Sequence, residues 1–193
     1  RVGWWKNGYP EYFAKVINSA NWIGINIRVN GQPLDLAKAK IESFRRELDM
    51  QHGLLSRHFT ATLSKGNKVE VSSQRFVSID DPELGAIRYS VKALNFSGEI
   101  TVTPYLDGDV FNEDANYDEK FWTEVSKEIK GNEGYLTLET LKTHFRVTTG
   151  MGFSVQKNGN EITEKRLPPK KKNTLNSLKQ QRLKKGIQLP LIK

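Results

Sequence analysis

The chain has 193 residues, enough for one large domain or two small ones to bury a core, and 37% of them are hydrophobic. No apolar run approaches the roughly 20 residues that a membrane-spanning helix needs. Cysteine is absent, which excludes disulfides, thiolate zinc sites and cysteine nucleophiles and fits a reducing compartment. We therefore expect a globular, cytoplasmic protein with no membrane partner.

The net charge of +8 comes from the end of the chain. Residues 165–193 contain ten of the 30 Lys and Arg residues and no Asp or Glu, so the rest of the chain is near neutrality. A concentrated basic segment can bind phosphate backbones, but this one lacks the interleaved aromatics that stack on single strands. We predict that residues 165–185 are a solvated basic loop or tail, and nucleic-acid binding through this tail stays an alternative.

Aromatic residues crowd the first stretch of the sequence, RVGWWKNGYPEYF, around the turn-like Lys6-Asn7-Gly8. Tryptophan and tyrosine can stack on sugar faces, and their polar tips tolerate water. Trp4, Trp5, Asn7 and Tyr9 are therefore a candidate contact surface for carbohydrate. Burial of the same aromatics in a core or an interface is the favoured interpretation.

A period of two dominates most of the sequence after the aromatic stretch. NWIGINIRV alternates apolar and polar residues as a strand does, and residues 54–79 predict a long hairpin that turns at Lys65-Gly66-Asn67. We predict that residues 86–94 and 99–106 pair with each other around the next turn signal. Strands separated by turns in this way indicate an all-β sandwich. Later strand candidates are YLTLETL, HFRVTTG, GFSVQ and IQLPLIK.

Two stretches carry helical signals. DEKFWTEVSKEIKG, residues 118–131, spaces its charged and apolar residues like a helix and ends in glycine. DLAKAKIESFRREL, residues 35–48, combines good helix formers with Ile41, Phe44 and Leu48 at three- and four-residue steps, so propensity alone makes it helical. The fold prediction is an all-β domain with one or two short helices.

The sequence contains no strong motif for chemistry. It has no P-loop, nucleophile elbow or dinucleotide fingerprint. His52, His58 and His144 have no ligand-like partner two to four residues after them, and the acidic stretch DGDVFNED lacks the spacing of an EF-hand. Carboxylate pairs in turns are too common to indicate a glycosidase site. We therefore predict no catalytic residue, no metal site and no cofactor in this chain.

Several segments, in order, resemble the N-terminal domain of glycoside hydrolase family 65. They are NSANWIGINIRVNGQPLDL, FRRELDMQHGLLSRHF, VEVSSQRFVSIDD and AIRYSVKALNFSGEITVTPYLDGDV. The first is similar to the family's NLPNW segment and the strand after it. The others match an LD-x-x-x-G-x-L-x-R run, a strand and an RF-x-S run. The matching motif residues are Leu48, Asp49, Gly53, Leu55, Arg57, Arg75, Phe76 and Ser78.

The resemblance covers residues 15–125 well and the rest loosely, and it implies a fold. That fold is a large antiparallel β-sandwich of the super-sandwich type, related to mutarotase-like domains, with residues 1–193 as a single domain. It also implies that residues 35–48 contain a strand leading into the LD-x-x-x-G turn, which replaces the helix that propensity favours. We further expect the chain to be an excised, N-terminally incomplete part of a longer enzyme.

The resemblance also implies a function. The family contains maltose, trehalose, kojibiose and nigerose phosphorylases and a few hydrolases, whose chemistry resides in a following (α/α)-barrel domain. The chain would then be a non-catalytic domain in carbohydrate metabolism that supports this barrel and a homodimer. The parent would be an inverting glycoside phosphorylase, which is a glycosyltransferase, or a hydrolase acting on a disaccharide. Inorganic phosphate would be the co-substrate of a phosphorylase.

The roles of the motif residues and of the aromatics follow from this expectation. The motif residues are interpreted as structural, with Asp49 and Arg57 able to pair across a hairpin and Arg75 bracing the same region. Trp4, Trp5, Asn7 and Tyr9 would contact the barrel or the rim of its sugar site. An independent carbohydrate-binding module with an aromatic platform is the alternative function.

Overall fold

The computed structural model describes residues 3–6, 9–13, 16–112, 120–130, 132–157, 160–161, 174–176, 179–183 and 188–192. The strands before residue 16 and after residue 173 are described by their backbone pairing. Every regular element in these residues is a β-strand, and all the strand pairs are antiparallel. Within the same residues, no helix has the length and apolar character required to cross a membrane.

The strands vary from two to ten residues in length. In chain order they are β1 (Gly3–Lys6), β2 (Tyr9–Phe13), β3 (Ile25–Val29), β4 (Gln32–Pro33), β5 (Lys40–Asp49), β6 (Leu54–Thr62), β7 (Lys68–Val77), β8 (Gly85–Ala93), β9 (Gly98–Asp107), β10 (Trp122–Lys130), β11 (Glu133–Thr140), β12 (Arg146–Gly152), β13 (Ser154–Lys157), β14 (Asn160–Glu161), β15 (Thr174–Asn176), β16 (Lys179–Leu183) and β17 (Gln188–Ile192).

Two large sheets form the sandwich. The first has seven strands in the order β14-β13-β17-β8-β7-β6-β5. The second places β9 at its centre, with β3 and β4 on one side and β15 and β16 on the other. The predicted hairpin over residues 54–79 is confirmed as β6 and β7, which pair from Leu55↔Arg75 to Thr62↔Lys68.

The main core lies between these two sheets. Alternate residues of β6, β7 and β8 contribute one side of it, and alternate residues of β3 and β9 contribute the other, because neighbouring residues of a strand face opposite ways. Each large apolar side chain buried there stabilises the fold by about 1.5–3 kcal/mol. The predicted antiparallel β-sandwich is confirmed. Buried members of this core include Ile27, Val29, Phe59, Val69, Val71, Val91, Ile100 and Val102.

A second, smaller core joins a three-stranded sheet to the sandwich. That sheet has the order β10-β11-β12. Leu136 and Leu138 of β11 and Met151 of β12 pack with Ala20 and with Leu106 of β9. Because Leu106 belongs to the five-stranded sheet, this cluster holds the small sheet against the sandwich.

The predicted pairing of residues 86–94 with 99–106 is wrong. β8 pairs with β7 and β17, whereas β9 pairs with β3, β15 and β16. Val91 and Ile100 both lie in the main core. The connection between β8 and β9 therefore crosses from one sheet to the other. A turn signal marks where a strand ends, but it does not say whether the next strand pairs with it or faces it.

The predicted helix over residues 118–131 is also wrong, because residues 122–130 are β10. Trp122 and Ile129 pack against the second core, and β10 pairs with β11 along its whole length apart from one bulge. For residues 35–48, the strand implied by the resemblance is confirmed, since β5 begins at Lys40. Tertiary partners override a weak helix propensity in both places.

Part of the basic segment also lies in a sheet. β15 and β16 pair with β9 through residues 174–176 and 179–183. The remaining residues of 165–185 lie outside the described part of the chain. The loop-or-tail interpretation of that segment and the single-domain interpretation of residues 1–193 therefore stay predictions.

Candidate functional site

The LD-x-x-x-G motif forms the turn between β5 and β6. The Oδ1 atom of Asp49 accepts hydrogen bonds from the backbone N–H groups of Gln51 (3.0 Å) and His52 (3.1 Å). Its Oδ2 atom lies 2.7 Å from Nδ1 of the His52 ring. Gly53 has a φ of +62°, in the left-handed region that favours glycine. The motif therefore encodes a closed turn.

The expected pair between Asp49 and Arg57 is not formed. Asp49 has His52 as its ion-pair partner, and Arg57 lies opposite Arg46 across β5 and β6. The reason is register, because Asp49 pairs with Leu54 and Arg57 lies three residues further along β6. Ser78 closes a second turn at the same end of the sheet, where its Oγ accepts from the backbone N–H of Asp81 (3.0 Å).

We expect Asp49→Ala to lower the melting temperature without changing affinity for any sugar. The His52 side chain first, and then the turn N–H groups, hold the pKa of Asp49 below its ordinary value. An acid whose pKa is lowered by folding stabilises the fold above its unfolded pKa, and loses that contribution as pH falls through the folded pKa. The melting temperatures of the wild type and the variant should therefore differ at neutral pH and become equal at acidic pH. Equal melting temperatures at neutral pH would contradict the prediction.

A cleft of about 250 Å³ opens between the two large sheets, at the end where these turns lie. We call it the arginine cleft, since the guanidinium-bearing side chains of Arg46, Arg57 and Arg75 line it beside Tyr89. Three motif residues, Leu55, Arg57 and Arg75, thus meet at one place. The apolar part of its lining is Ile23, Ile25, Leu34, Leu36, Leu55, Phe59 and Ile87.

Two of the three guanidinium groups of the cleft lie over aromatic rings. The guanidinium carbon of Arg57 lies 5.5 Å from the centre of the Phe59 ring, and that of Arg46 lies 5.9 Å from the Phe44 ring. Burial raises the pKa of the Tyr89 hydroxyl, and a hydrogen bond and charge from Arg57 partly oppose this. The Nε atom of Arg57 is buried and has no hydrogen-bond partner.

Acidic partners for these arginines are missing from the part of the chain that the structure describes. The ion pairs found there use Arg45 and Arg146 as their arginine members, and none involves Arg46, Arg57 or Arg75. The arginine cleft is therefore a positively charged opening with apolar walls. Such a lining suits an oxyanion, such as a carboxylate or a phosphate.

The opposite face of the seven-stranded sheet carries a wider polar groove of about 450 Å³. Arg45 and Glu47 form an ion pair of 2.6 Å at its edge, and His58 and Arg88 also line it. The rest of its lining is four serines, Gln74 and Arg57, which also lines the arginine cleft, and none of these residues carries an aromatic ring. This groove can donate and accept hydrogen bonds, but it lacks a stacking surface for a sugar.

The acidic stretch after β9 is used in hydrogen bonding within the fold. Asn112 Oδ1 accepts from the backbone N–H of Asn18 (2.9 Å), and Asn112 Nδ2 donates to the carbonyl of Val16 (2.9 Å). Asp109 pairs with Lys120. Among residues 16–112, 120–130 and 132–157, no group of three or more acidic or histidine side chains is placed to hold a metal ion.

The aromatic residues at the start of the chain lie in a hairpin. β1 and β2 pair with Trp4 opposite Tyr12, Trp5 opposite Pro10 and Lys6 opposite Tyr9. Asn7 lies outside the described residues, and so do the side chains of Trp4, Trp5 and Tyr9. Their predicted contact with carbohydrate or with a barrel stays a prediction.

Sequence reasoning missed Arg46 and Tyr89 as members of a site. Alternation carried a usable signal, since Arg46 lies two residues from both Phe44 and Leu48, and such residues share a strand face. Alternation within one strand does not give the register between strands, and it is this register that brings Arg46 opposite Arg57. Strand register depends on the length and geometry of the turn, as well as on the apolar pattern.

Comparison with known proteins supplies a family and a fold. A family model described as the N-terminal domain of glycosyl hydrolase family 65 matches residues 1–193. The chain is 46% identical over 145 residues to maltose phosphorylase of Bacillus subtilis (strain 168), covering 75% of this chain and 19% of that protein. It is 32% identical over 152 residues to α,α-trehalose phosphorylase of Thermoanaerobacter brockii, covering 71% of this chain and 20% of that protein.

A solved structure, assigned as a candidate kojibiose phosphorylase from the human microbiome, shares the fold. It superposes with a TM-score of 0.74 at 23% identity and covers 92% of this chain and 22% of that chain. The chain thus spans only 19% and 20% of the length of the two curated relatives above.

Proposed function

Because this chain belongs to the N-terminal domain of glycosyl hydrolase family 65, we propose that it is the non-catalytic domain of a disaccharide phosphorylase that acts on maltose. The observation that carries the proposal is the 46% identity with a maltose phosphorylase, against 32% with a trehalose phosphorylase. The parent enzyme would cleave maltose with inorganic phosphate, and its catalytic region would follow this chain in the same polypeptide.

Three described carboxylates are held in ion pairs that suit a structural role. The pKa of each is lowered, that of Glu42 chiefly by Lys68, that of Asp49 by His52 and that of Glu139 by Arg146. A general acid that works near neutral pH needs a raised pKa, so that it keeps its proton until the leaving oxygen takes it. These groups are instead held ionised by their partners.

We extend the proposal to the assembly and location of the parent enzyme. It is a cytoplasmic homodimer that acts in carbohydrate metabolism, and this domain supports its catalytic barrel. The absence of cysteine is compatible with that compartment. Light scattering of the full-length enzyme in solution tests the dimer, and a monomer over the whole concentration range would refute it.

We also propose that the hairpin of β1 and β2 lies against the catalytic region or the rim of its sugar site through Trp4, Trp5, Asn7 and Tyr9. The backbone pairing supports this by presenting several aromatic residues on one short two-stranded ribbon. Tryptophan fluorescence of the full-length enzyme should respond to maltose. Replacement of Trp4 and Trp5 by phenylalanine should remove that response, and an undiminished response would count against the contact.

Phosphorolysis by the full-length enzyme tests the function directly. With maltose and phosphate we expect release of glucose 1-phosphate, faster than with trehalose or kojibiose at equal concentration. Omitting phosphate should abolish turnover, because phosphate is the attacking group. Glucose release that does not depend on phosphate would instead identify a hydrolase. A preference for trehalose or kojibiose would overturn the proposed substrate while leaving the reaction class in place.

A further inference from the structure

We propose that the arginine cleft is the docking site for a carboxylate-bearing, partly apolar segment of the catalytic region in the same polypeptide. This inference rests on the proposed function, which supplies a catalytic region outside this chain. It goes further by naming the surface that the region contacts and the chemistry of the contacting segment.

The first observation is an uncompensated cluster of positive charge. Arg46 lies directly opposite Arg57 across β5 and β6, and like charges in that position destabilise a sheet. Arg75 lies on the next strand, opposite Leu55, and lines the same cleft. Within the part of the chain that the structure describes, no carboxylate forms an ion pair with any of these three arginines. A bound carboxylate would turn this repulsion into attraction.

The second observation is the buried Nε donor of Arg57, which lacks a hydrogen-bond partner. Buried donors in native structures are almost always paired, because an unpaired one loses its hydration without replacement. The same guanidinium already lies over Phe59 and beside Tyr89. A carboxylate entering the cleft can take hydrogen bonds from this preoriented group, as arginine forks do.

The third observation is the apolar surface next to the cleft. Phe44 and Leu48 flank Arg46 on β5 and share its face, and they remain 48% and 60% exposed. That face is the core side of the seven-stranded sheet, which a sandwich normally covers with a second layer. The covering segment must therefore carry apolar residues beside its carboxylates.

Two facts identify the occupant: the positive charge of the cleft and the length of the phosphorylase relative. A second copy of this surface, related by a two-fold axis, would bring the same arginines towards each other. The phosphorylase relative extends far beyond the matched region, since this chain covers 19% of it. A segment of the same polypeptide is tethered nearby at high effective concentration, so a modest contact area is sufficient.

Arginine labelling of the full-length enzyme tests the inference without any substitution. We expect phenylglyoxal to modify Arg46 and Arg75 about ten-fold more slowly than Arg45 and Arg88, because the covering segment must open first. All four are exposed in this chain, and the latter two line the opposite face of the same sheet. Mass spectrometry of peptides, from enzyme dialysed free of phosphate, measures each rate.

Each other outcome of the labelling overturns the inference. Equal rates at all four arginines would show an open cleft. Protection that appears only when inorganic phosphate is added would assign the cleft to a free anion. Protection that is lost on dilution, together with the dimer, would assign it to a second copy.

A charge-reversal pair gives an independent readout. Arg46→Glu with Arg75→Glu should separate the calorimetric unfolding of the full-length enzyme into two transitions. The matched control, Arg45→Glu with Arg88→Glu, makes the same change of charge on the opposite face and should leave the profile unchanged. One shared profile for both variants would contradict the inference. Phosphorolysis of maltose by the wild type is assayed separately, so protected arginines without that activity would refute only the proposed function.

Discussion

Replacing Phe59 by alanine is expected to lower the free energy of unfolding by about 3–5 kcal/mol. Phe59 is 1% exposed and lies at the centre of β6, opposite Val71. Its ring packs against Phe44 at 6.3 Å between centroids, and it supports the guanidinium of Arg57. The substitution loses the free energy gained by burying the ring. It also leaves a cavity, because the surrounding strands relax only in part. Urea unfolding followed by circular dichroism measures the loss.

Phe44→Ala is the matched control for this prediction. Phe44 is the other member of the ring pair, but it lies on the edge strand β5 and is 48% exposed. Its removal leaves a depression open to water in place of a closed cavity, so the loss should be clearly smaller. Equal losses for Phe44→Ala and Phe59→Ala would show that burial within the sandwich does not set the cost.

Leu136→Ala is expected to cost about 2–5 kcal/mol through the second core. Leu136 is 0% exposed and packs with Leu106 of β9 and Leu138 of its own strand. Since Leu106 belongs to the five-stranded sheet, the cavity weakens the attachment of the three-stranded sheet to the sandwich. The midpoint of urea-induced unfolding should fall, and amide hydrogen exchange in β10 to β12 should become faster.

Leu141→Ala provides the comparison for the second core. Leu141 follows β11 and is 51% exposed, so its truncation should change the stability by less than that of Leu136. A loss confined to exchange in β10 to β12, with unchanged global unfolding, would show that this sheet opens independently. That result would contradict the expected coupling through Leu106.

Much of the strand architecture was predictable from local pattern. The alternation in residues 54–79 sets which side chains of β6 and β7 are buried, and Phe59, Ala61, Val69 and Val71 are all in the core. Residue types at the turns were equally informative, since Gly53 and Gly66 adopt the positive φ angles that glycine favours. These signals are local, because each depends only on neighbours within a strand or a turn.

The pairing of strands was not local, and two predictions failed for that reason. Residues 86–94 and 99–106 read as neighbours, yet they belong to facing sheets that meet through Val91 and Ile100. Residues 118–131 have the pattern of a helix, yet Trp122 and Ile129 pack against their apolar partners as part of a strand beside β11. In both places the free energy that stabilises the observed strands comes from contacts with residues distant in sequence, and these contacts outweigh local propensity.

Three properties of the chain are visible in its residue pattern: it is rich in strands, its basic charge is concentrated at the end, and its motifs resemble those of family 65. The way in which the motif residues act together depends on the folded arrangement of the strands. Register placed Arg46 opposite Arg57, three residues along β6 from the partner of Asp49, and the stacking of two sheets put Arg75 and Tyr89 at the same opening. The physical reason is that a cleft between sheets is built from side chains on several strands, and their relative positions depend on strand register and sheet packing.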